Sequence, residues 1–557
     1  MKQEKIPQIA SALERLQSQD AIRRLWAHDH TLWKPQPDEI VNRMGWLHCT
    51  EWMPSRLHQL NAFVKGLRKE GFTQALLLGM GGSSLAPQVF RATFGVQPHG
   101  LDLQVLDTTE PRTILAIDQC LDYPKTLFIV STKSGGTVET FSLFRYFYQR
   151  AQQELGAANS GAHFAAITDP GSALEQTAQQ LGFRALFLND PNIGGRYSAL
   201  SLFGLVPAAL LGLDVSLLLE QAAQAVKLCK NEQLFPVSHN PGASLGAAIG
   251  AMALQGRDKL TIFLSPSIAS FGSWLEQLIA ESSGKEGKGI LPVIEDKPAS
   301  PESYADDRFF VYLRLHGEED LDPPVQALQS AGHPVMILPL TGRYNLSEQF
   351  FIWEVATALA CHIIGVNPFD QPNVEAAKVL ARQIVSAYEQ AGQLPQPTPG
   401  FENDNLAVYA SFNPSTPQEA LDCFLSQLPP KAYIALQAYL PYQEGFEDAL
   451  QDLRMVLQTT TRCAVTLGFG PRFLHSTGQL HKGDGGNGLF IQFTCTPPHP
   501  DLPIPDEIGT HVTSMSFGTL ILAQALGDHQ ALVNENRQVI RFHLKQADPA
   551  ILRSLIR

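Results

Sequence analysis

The feature that most constrains this chain is the recurrence of short, unbroken apolar runs separated by longer amphipathic ones. Residues 75–79 (ALLLG), 103–106 (LQVL), 127–131 (LFIVS), 164–168 (FAAIT) and 185–188 (ALFL) lack the period-two polarity of a half-exposed strand. Strands apolar on both faces, spaced by helical stretches such as 137–153 and 171–181, require a parallel sheet covered by helices on either side. A second set follows at 259–264, 309–315, 334–338, 432–440, 462–467 and 488–494. The expected fold class is α/β, with two doubly wound parallel-sheet domains, each a three-layer αβα sandwich. The first would span 51–230 and the second 231–557, meeting near 225–245. A helical, aromatic-rich arm (1–50, with Trp26, Trp33 and Trp46) would precede them, and helix would close the C-terminus. The stretch 391–405 (AGQLPQPTPGFENDN) has the composition of a linker.

Composition removes whole classes of function. The 557 residues carry 41 Lys+Arg against 54 Asp+Glu, a net charge of −13 with no basic run, so nucleic acid is not an expected partner. Seven cysteines are scattered without a CxxC pair, which suits a reduced cytoplasmic protein rather than a disulfide framework or zinc site. The N-terminus, MKQEKIPQIASALERLQ, is polar and amphipathic, unlike a signal peptide. The most apolar run, Ala199 to Leu213, is shorter than the ~20 residues of a spanning helix and carries Pro207. It is expected to be a buried helix, and no membrane association is expected.

Two strand–turn–helix loops suggest anion binding. Residues 75–85 read ALLLGMGGSSL, where glycines admit an anion close to the backbone and a helix N-terminus offers free N–H groups. Residues 127–140 read LFIVSTKSGGTVET, crowding Thr132, Lys133, Ser134 and Thr137 at the next helix start. A helix cap accounts for one hydroxyl, not for four polar groups in six positions. A dinucleotide is the competing reading, with Asp107 placed to meet a ribose, but Gly79, Gly81 and Gly82 do not fit GxGxxG. Two loops converging on one carboxyl edge fit a sugar phosphate better.

Three further segments carry a resemblance. Asn192-Ile-Gly-Gly-Arg196-Tyr-Ser198, Glu281-Ser-Ser-Gly-Lys285, and Asn367-Pro-Phe-Asp-Gln371 with Glu375 and Lys378 resemble signatures of the glucose-6-phosphate isomerase family. The two loops above resemble that family's sugar-phosphate-binding (SIS) fold. The match is nearest to the isomerase half of bifunctional transaldolase/glucose-6-phosphate isomerases, and no transaldolase half is visible. The resemblance implies two SIS-type domains and interconversion of glucose 6-phosphate and fructose 6-phosphate in glycolysis and gluconeogenesis. The runner-up readings are a dual phosphoglucose/phosphomannose isomerase and a non-catalytic sugar-phosphate-binding SIS protein.

Aldose–ketose isomerisation needs a base to move a proton between C1 and C2, a cation for the enediolate, and an acid/base to open the ring. The resemblance assigns Glu281 as base with Gln277 one helical turn earlier, and Arg196 as the enediolate cation. It assigns Lys378, with Gln371 beside it, to the ring oxygen. Gly82, Ser83, Thr132, Lys133, Ser134 and Thr137 would hold the phosphate. Asn373 stands where the family prefers Gly or Ala, and its tolerance of left-handed backbone would make the change harmless. The ring-opening histidine is absent from its usual place between Glu281 and Asn367. The block LHSTGQLHKGD at 474–484 resembles it but follows the lysine segment, giving His475 as first choice and His481 as second. Family resemblance also implies a homodimer in which this histidine is contributed by the neighbouring subunit. No metal or organic cofactor is implied, because proton transfer within one sugar needs neither hydride carrier nor redox centre.

Overall fold

The computed structural model describes residues 6–231, 239–295, 298–395 and 397–556. The apolar runs of the first half form one parallel sheet. Its strands are β1 (Gln74–Gly79), β2 (Asp102–Leu106), β3 (Thr126–Ser131), β4 (Phe164–Thr168) and β5 (Ala185–Leu188), in spatial order β2-β1-β3-β4-β5. Every residue of β3 and β4 is buried, as expected for strands covered on both faces. Chain progress outward from β1 to β2, then back past β1 to β3, creates a switch point between β1 and β3, and crevices at such points bind ligands.

Residues 231–557, expected to build one sheet, carry two. The second sheet comprises β6 (Lys259–Leu264), β7 (Leu291–Glu295), β8 (Arg308–Leu315) and β9 (Val335–Leu340), all parallel in the order β7-β6-β8-β9. The third contains β10 (Phe401–Glu402), β11 (Leu406–Tyr409), β12 (Tyr433–Tyr439), β13 (Ala464–Phe469), β14 (Gly488–Cys495) and β17 (Gln538–Leu544), in the order β10-β11-β17-β14-β12-β13. A two-stranded ribbon, β15 (Pro503–Ile504) with β16 (Met515–Ser516), lies on the connection before β17. Sequence periodicity locates strands but does not say which of them pair, so six runs that read as one set divide between two sheets. The third sheet is also mixed, since β11 and β10 add to its edge antiparallel.

The expected junction at 225–245 includes residues 232–238, which lie outside the described residues, as do 1–5 of the N-terminal arm and 396 of the linker. The arm folds as helices Pro7–Ser18 and Ala21–Trp26 followed by short turns. It packs by its tryptophans: Trp33 donates to the carbonyl of Ala358 at 2.9 Å, and Trp46 lies 5.1 Å from the Tyr197 ring. Burying one such indole removes roughly 150–250 Å² of surface, about 4–6 kcal/mol gross at about 25 cal/mol per Å². The apolar run at 199–213 forms the wholly buried helix Leu202–Leu210, as expected. Among the described residues no helix is long and apolar enough to cross a membrane.

The three units are not beads on a string. Ala280, Leu291 and Val293 of the second unit share one apolar cluster with Tyr433, Ala435, Leu480 and Phe490 of the third. Leu502, Ile504 and Phe517 of the third join the core under the first sheet. The third unit therefore packs against both of the others.

Candidate active site

A cavity of about 450 Å³ opens at the carboxyl edge of the first sheet, between β1 and β3. Met80 to Ser83 line one wall, Thr132 to Ser134 with Thr137 a second, Arg196, Gln277 and Glu281 the floor, and Gln371, Lys378 and His475 the rim. The twelve residues given first-choice roles from the sequence line this one space, and the alternate His481 does not.

The glycine loop is shaped by close approach. Gly81 adopts φ +54°, and a Cβ on Gly82 would meet the Gly195 carbonyl oxygen at 2.0 Å. Gly82 lets the loop press against the turn Gly195–Tyr197, which carries Arg196, while Gly81 admits Gln277 and His475, which a Cβ there would meet at 2.8 and 3.0 Å. Across the cavity the helix Val138–Leu155 begins after Thr137, whose Oγ1 lies 3.1 Å from Thr132 Oγ1. Hydroxyls beside a free helix N-terminus form an anion cradle. Lys133 is less free than the spacing suggests. Its ammonium is bonded to Asp169 and donates to the Pro191 carbonyl at 2.8 Å.

Glu281 and Gln277 lie on the helix Phe271–Ser283, one turn apart on one face, with Gln277 Nε2 donating to Glu281 Oε2 at 3.2 Å. Burial pushes the Glu281 carboxyl up from its ordinary value, while Arg196 at 3.4 Å, then His475, oppose that shift. Arg196 is itself buried and locked. Its Nε donates to Ser282 at 2.9 Å, one terminal nitrogen to Gln371 at 2.8 Å, and the other to the carbonyls of Pro368 and Asp370. Lys285 of the same ESSGK run faces away and binds Asp370 Oδ1 at 2.6 Å, and burial pushes it down to about 8. Lys378 is half-exposed on the cavity rim, 3.9 Å from Glu375.

His475 reaches the cavity from the turn Arg472–His475 of the third unit. Its Nε2 sits 3.0 Å from Glu139 Oε1, and its carbonyl accepts from Gln277 Nε2 at 2.8 Å. His481, the second choice, is buried away from the cavity against Phe490, and burial drives its pKa well below the ordinary histidine value. It cannot serve as a proton donor to a bound sugar. In this chain His475 lines the same cavity as Glu281, Arg196 and Lys378, where the resemblance had implied a histidine from a neighbouring subunit.

Two further expectations change. Asp107, weighed as a ribose partner, instead accepts from Ser84 at 3.0 Å and pairs with Arg472 at 2.9 Å. Asn373 has φ −90°, not a left-handed backbone, and its side chain is used: Gln479 Nε2 donates to Asn373 Oδ1 at 2.8 Å while Asn373 N donates back at 2.9 Å.

Sequence reasoning missed Glu139. It lies inside the quoted TVET run, but an acidic residue in a helix's first turn reads as a dipole partner. In the fold it is buried. Burial opposes its ionisation, yet His475, then a backbone hydrogen bond and last Lys378, together outweigh that and hold its carboxyl below the ordinary value. Gln524 Nε2 donates to the same oxygen at 2.7 Å, and Thr109 Oγ1 donates to Gln524 at 2.8 Å, so the carboxylate facing His475 is itself fixed.

The comparisons agree with this geometry. The sequence model of the family described as phosphoglucose isomerase matches residues 56–289, which include both loops, Arg196, Gln277 and Glu281. A glucose-6-phosphate isomerase of Rubrobacter xylanophilus is 31% identical over 361 residues, 56% of this chain and 82% of the relative. One from Mycoplasmopsis pulmonis is 27% identical, covering 68% of this chain and 95% of the relative. Among solved structures, a hypothetical protein of Thermus thermophilus superposes with a TM-score of 0.59 at 26% identity, over 68% of this chain and 97% of its own length. A glucose-6-phosphate isomerase of Chlamydia trachomatis shares the fold with a TM-score of 0.51 at 19% identity, over 66% of this chain and 78% of its own. Since a relative 31% identical is covered over 82% of its length and the family's model spans both loops, Arg196 and Glu281, the chain belongs to the phosphoglucose isomerase family.

Proposed function

We propose that the protein interconverts glucose 6-phosphate and fructose 6-phosphate through a cis-enediolate, serving glycolysis and gluconeogenesis. The observation that carries this reading is the buried Glu281 carboxyl, its pKa raised by burial, 3.4 Å from an immobilised Arg196 on the floor of a cavity rimmed by hydroxyls.

In this reading the phosphate of the substrate sits between Ser83 and the cradle of Thr132, Ser134 and Thr137, with Gly82 N–H facing it. Lys133 contributes its charge to that end while remaining tied to Asp169. The sugar then extends toward Glu281. His475 and Lys378, at the rim, exchange the proton of the ring oxygen and the O1 hydroxyl and leave an open-chain aldose. Glu281 takes the C2 proton and returns it to C1. Negative charge builds on the enediolate oxygens as the proton leaves, and Arg196 is already in place to stabilise it without reorganisation. Desolvation of Glu281 brings its basicity closer to that needed at neutral pH than a free glutamate would have. A protein that only sensed sugar phosphates would need the loops and not a buried base against a fixed guanidinium.

The test is a coupled assay of purified protein with fructose 6-phosphate, and separately with mannose 6-phosphate. Glucose 6-phosphate should form from the first, and Glu281→Gln should abolish turnover while leaving sugar-phosphate binding. Folded protein inactive on fructose 6-phosphate would sink the reading. Comparable turnover of mannose 6-phosphate would instead make it a dual isomerase.

A further inference from the structure

The three sheets share one winding. Leaving aside the antiparallel edge strands β10 and β11, in each the first strand lies inside, the second is added on one side, and the third and fourth on the other: β2-β1-β3-β4, β7-β6-β8-β9 and β13-β12-β14-β17. Equivalent crossovers can therefore be compared. In the second unit the connection from first to second strand is the helix Phe271–Ser283, with Glu281 in its last turn. The same connection in the third unit, the helix Glu444–Thr461, ends Gln458-Thr-Thr-Thr461 without an acid. From second to third strand the pattern reverses. The third unit carries His475 between β13 and β14, whereas the second unit's counterpart, residues 296–307 between β7 and β8, contains no histidine. Each unit keeps the half of the pair that the other lacks.

The two halves are joined inside one chain by close contacts. Gln479 Nε2 donates to the carbonyl of Gly284, directly after the ESS run, and also grips Asn373. Leu480 lies so near Gly284 that a Cβ there would meet its Cα at 2.3 Å, and one on Gly483 would meet the Gly284 carbonyl oxygen at 2.4 Å. Arg454 Nη2 donates to the Ile294 carbonyl at 2.6 Å. On the other side, Gln524 and Arg472 tie the third unit to Glu139 and Asp107 of the first. The Thermus protein is matched over 97% of its length by only 68% of this chain, so this chain carries additional sequence on the scale of one α/β unit.

We propose that the third unit is a repeat of the second that stands in for a neighbouring subunit, so that each chain completes its own active site and needs no partner for catalysis. The inference rests on the roles given above to Glu281 and His475, and its test separates the two. Glu281→Gln and His475→Ala, expressed singly, should each be inactive, and activity in both would defeat the role assignment rather than the cis arrangement. The two chains, differently tagged, are then co-expressed so that any pairing or exchange of units occurs during folding. Completion in cis predicts activity no higher than that of the double variant, and wild-type activity per chain unchanged on dilution from micromolar to nanomolar. Sites shared between chains would restore about a quarter of wild-type activity, since half of random dimers are mixed and each has one intact site. Such recovery would overturn the proposal, as would loss of wild-type activity on dilution in step with dissociation. His475→Asn, which keeps polarity and approximate size, replaces the alanine chain if circular dichroism shows that one misfolded.

Discussion

Gly82→Ala probes how closely the cavity is built. The added Cβ would sit 2.0 Å from the Gly195 carbonyl oxygen and 2.3 Å from its carbon, where real contacts do not fall below 3.0 Å. The phosphate loop and the Arg196 turn must then separate by about 1 Å or more, because both obstructing atoms are backbone and no rotamer change relieves them. Overpacking of this kind costs about 1–3 kcal/mol of stability. The kinetic effect is larger than the stability cost suggests. Arg196 is attached to the displaced turn, so its guanidinium moves relative to Glu281 and to the bound phosphate, and misplacement by about 1 Å costs on the order of 100-fold in rate. Differential scanning fluorimetry should show a folded protein with a modestly lowered Tm, while the coupled assay shows kcat/KM down roughly 100-fold. A variant with kcat/KM within about threefold of wild type, well inside that expected loss, would show that the contact between the two loops does not position the catalytic groups.

Other perturbations test separate parts of the site. Lys133→Ala with Thr137→Ala should raise KM for fructose 6-phosphate at least tenfold with a smaller loss of kcat, measured by initial rates, because these groups face the non-reacting phosphate. Glu139→Gln should lower kcat by about 10–100-fold with little change in KM, since it alters the group that fixes His475 and leaves the phosphate cradle intact. Glu354, buried in helix Leu346–Ile364, has its carboxyl pushed well above 4.5 by desolvation, so the folded state holds a proton that the unfolded state releases. Its stability contribution is present below pH 4.5 and is lost as pH rises toward the folded-state value, by up to about 1.4 kcal/mol per pH unit. Glu354→Gln lacks that slope, and its Tm advantage over wild type should grow between pH 5 and pH 8; an advantage independent of pH would refute the assignment.

Much of the site was legible because its chemistry is local. A glycine turn, four polar groups at a helix start and a glutamate one turn after a glutamine are each written within a dozen residues, and strand, turn and helix then carry them to the same sheet edge. Glu139 was hidden for the opposite reason. Its meaning depends on His475, 336 positions away, and in its own segment it looks like a helix-dipole partner. The pairing of Lys133 with Asp169, 36 positions on, was hidden in the same way, since no local spacing reveals it.

The sequence by itself determined the five strands of the first sheet, three of the four in the second, β12 to β14 of the third, the α/β class and the residues around the cavity, because burial and backbone preferences act over short range. Only the tertiary structure decided that the last two sheets are separate, that both repeat the winding of the first, and that His475 closes the cavity from within its own chain. Sheet partnership depends on which strands can exchange backbone hydrogen bonds after long crossovers, and the placement of a whole unit depends on complementary surfaces such as Gly284 against Leu480 and Gly483. Neither leaves a periodic trace in the order of residues.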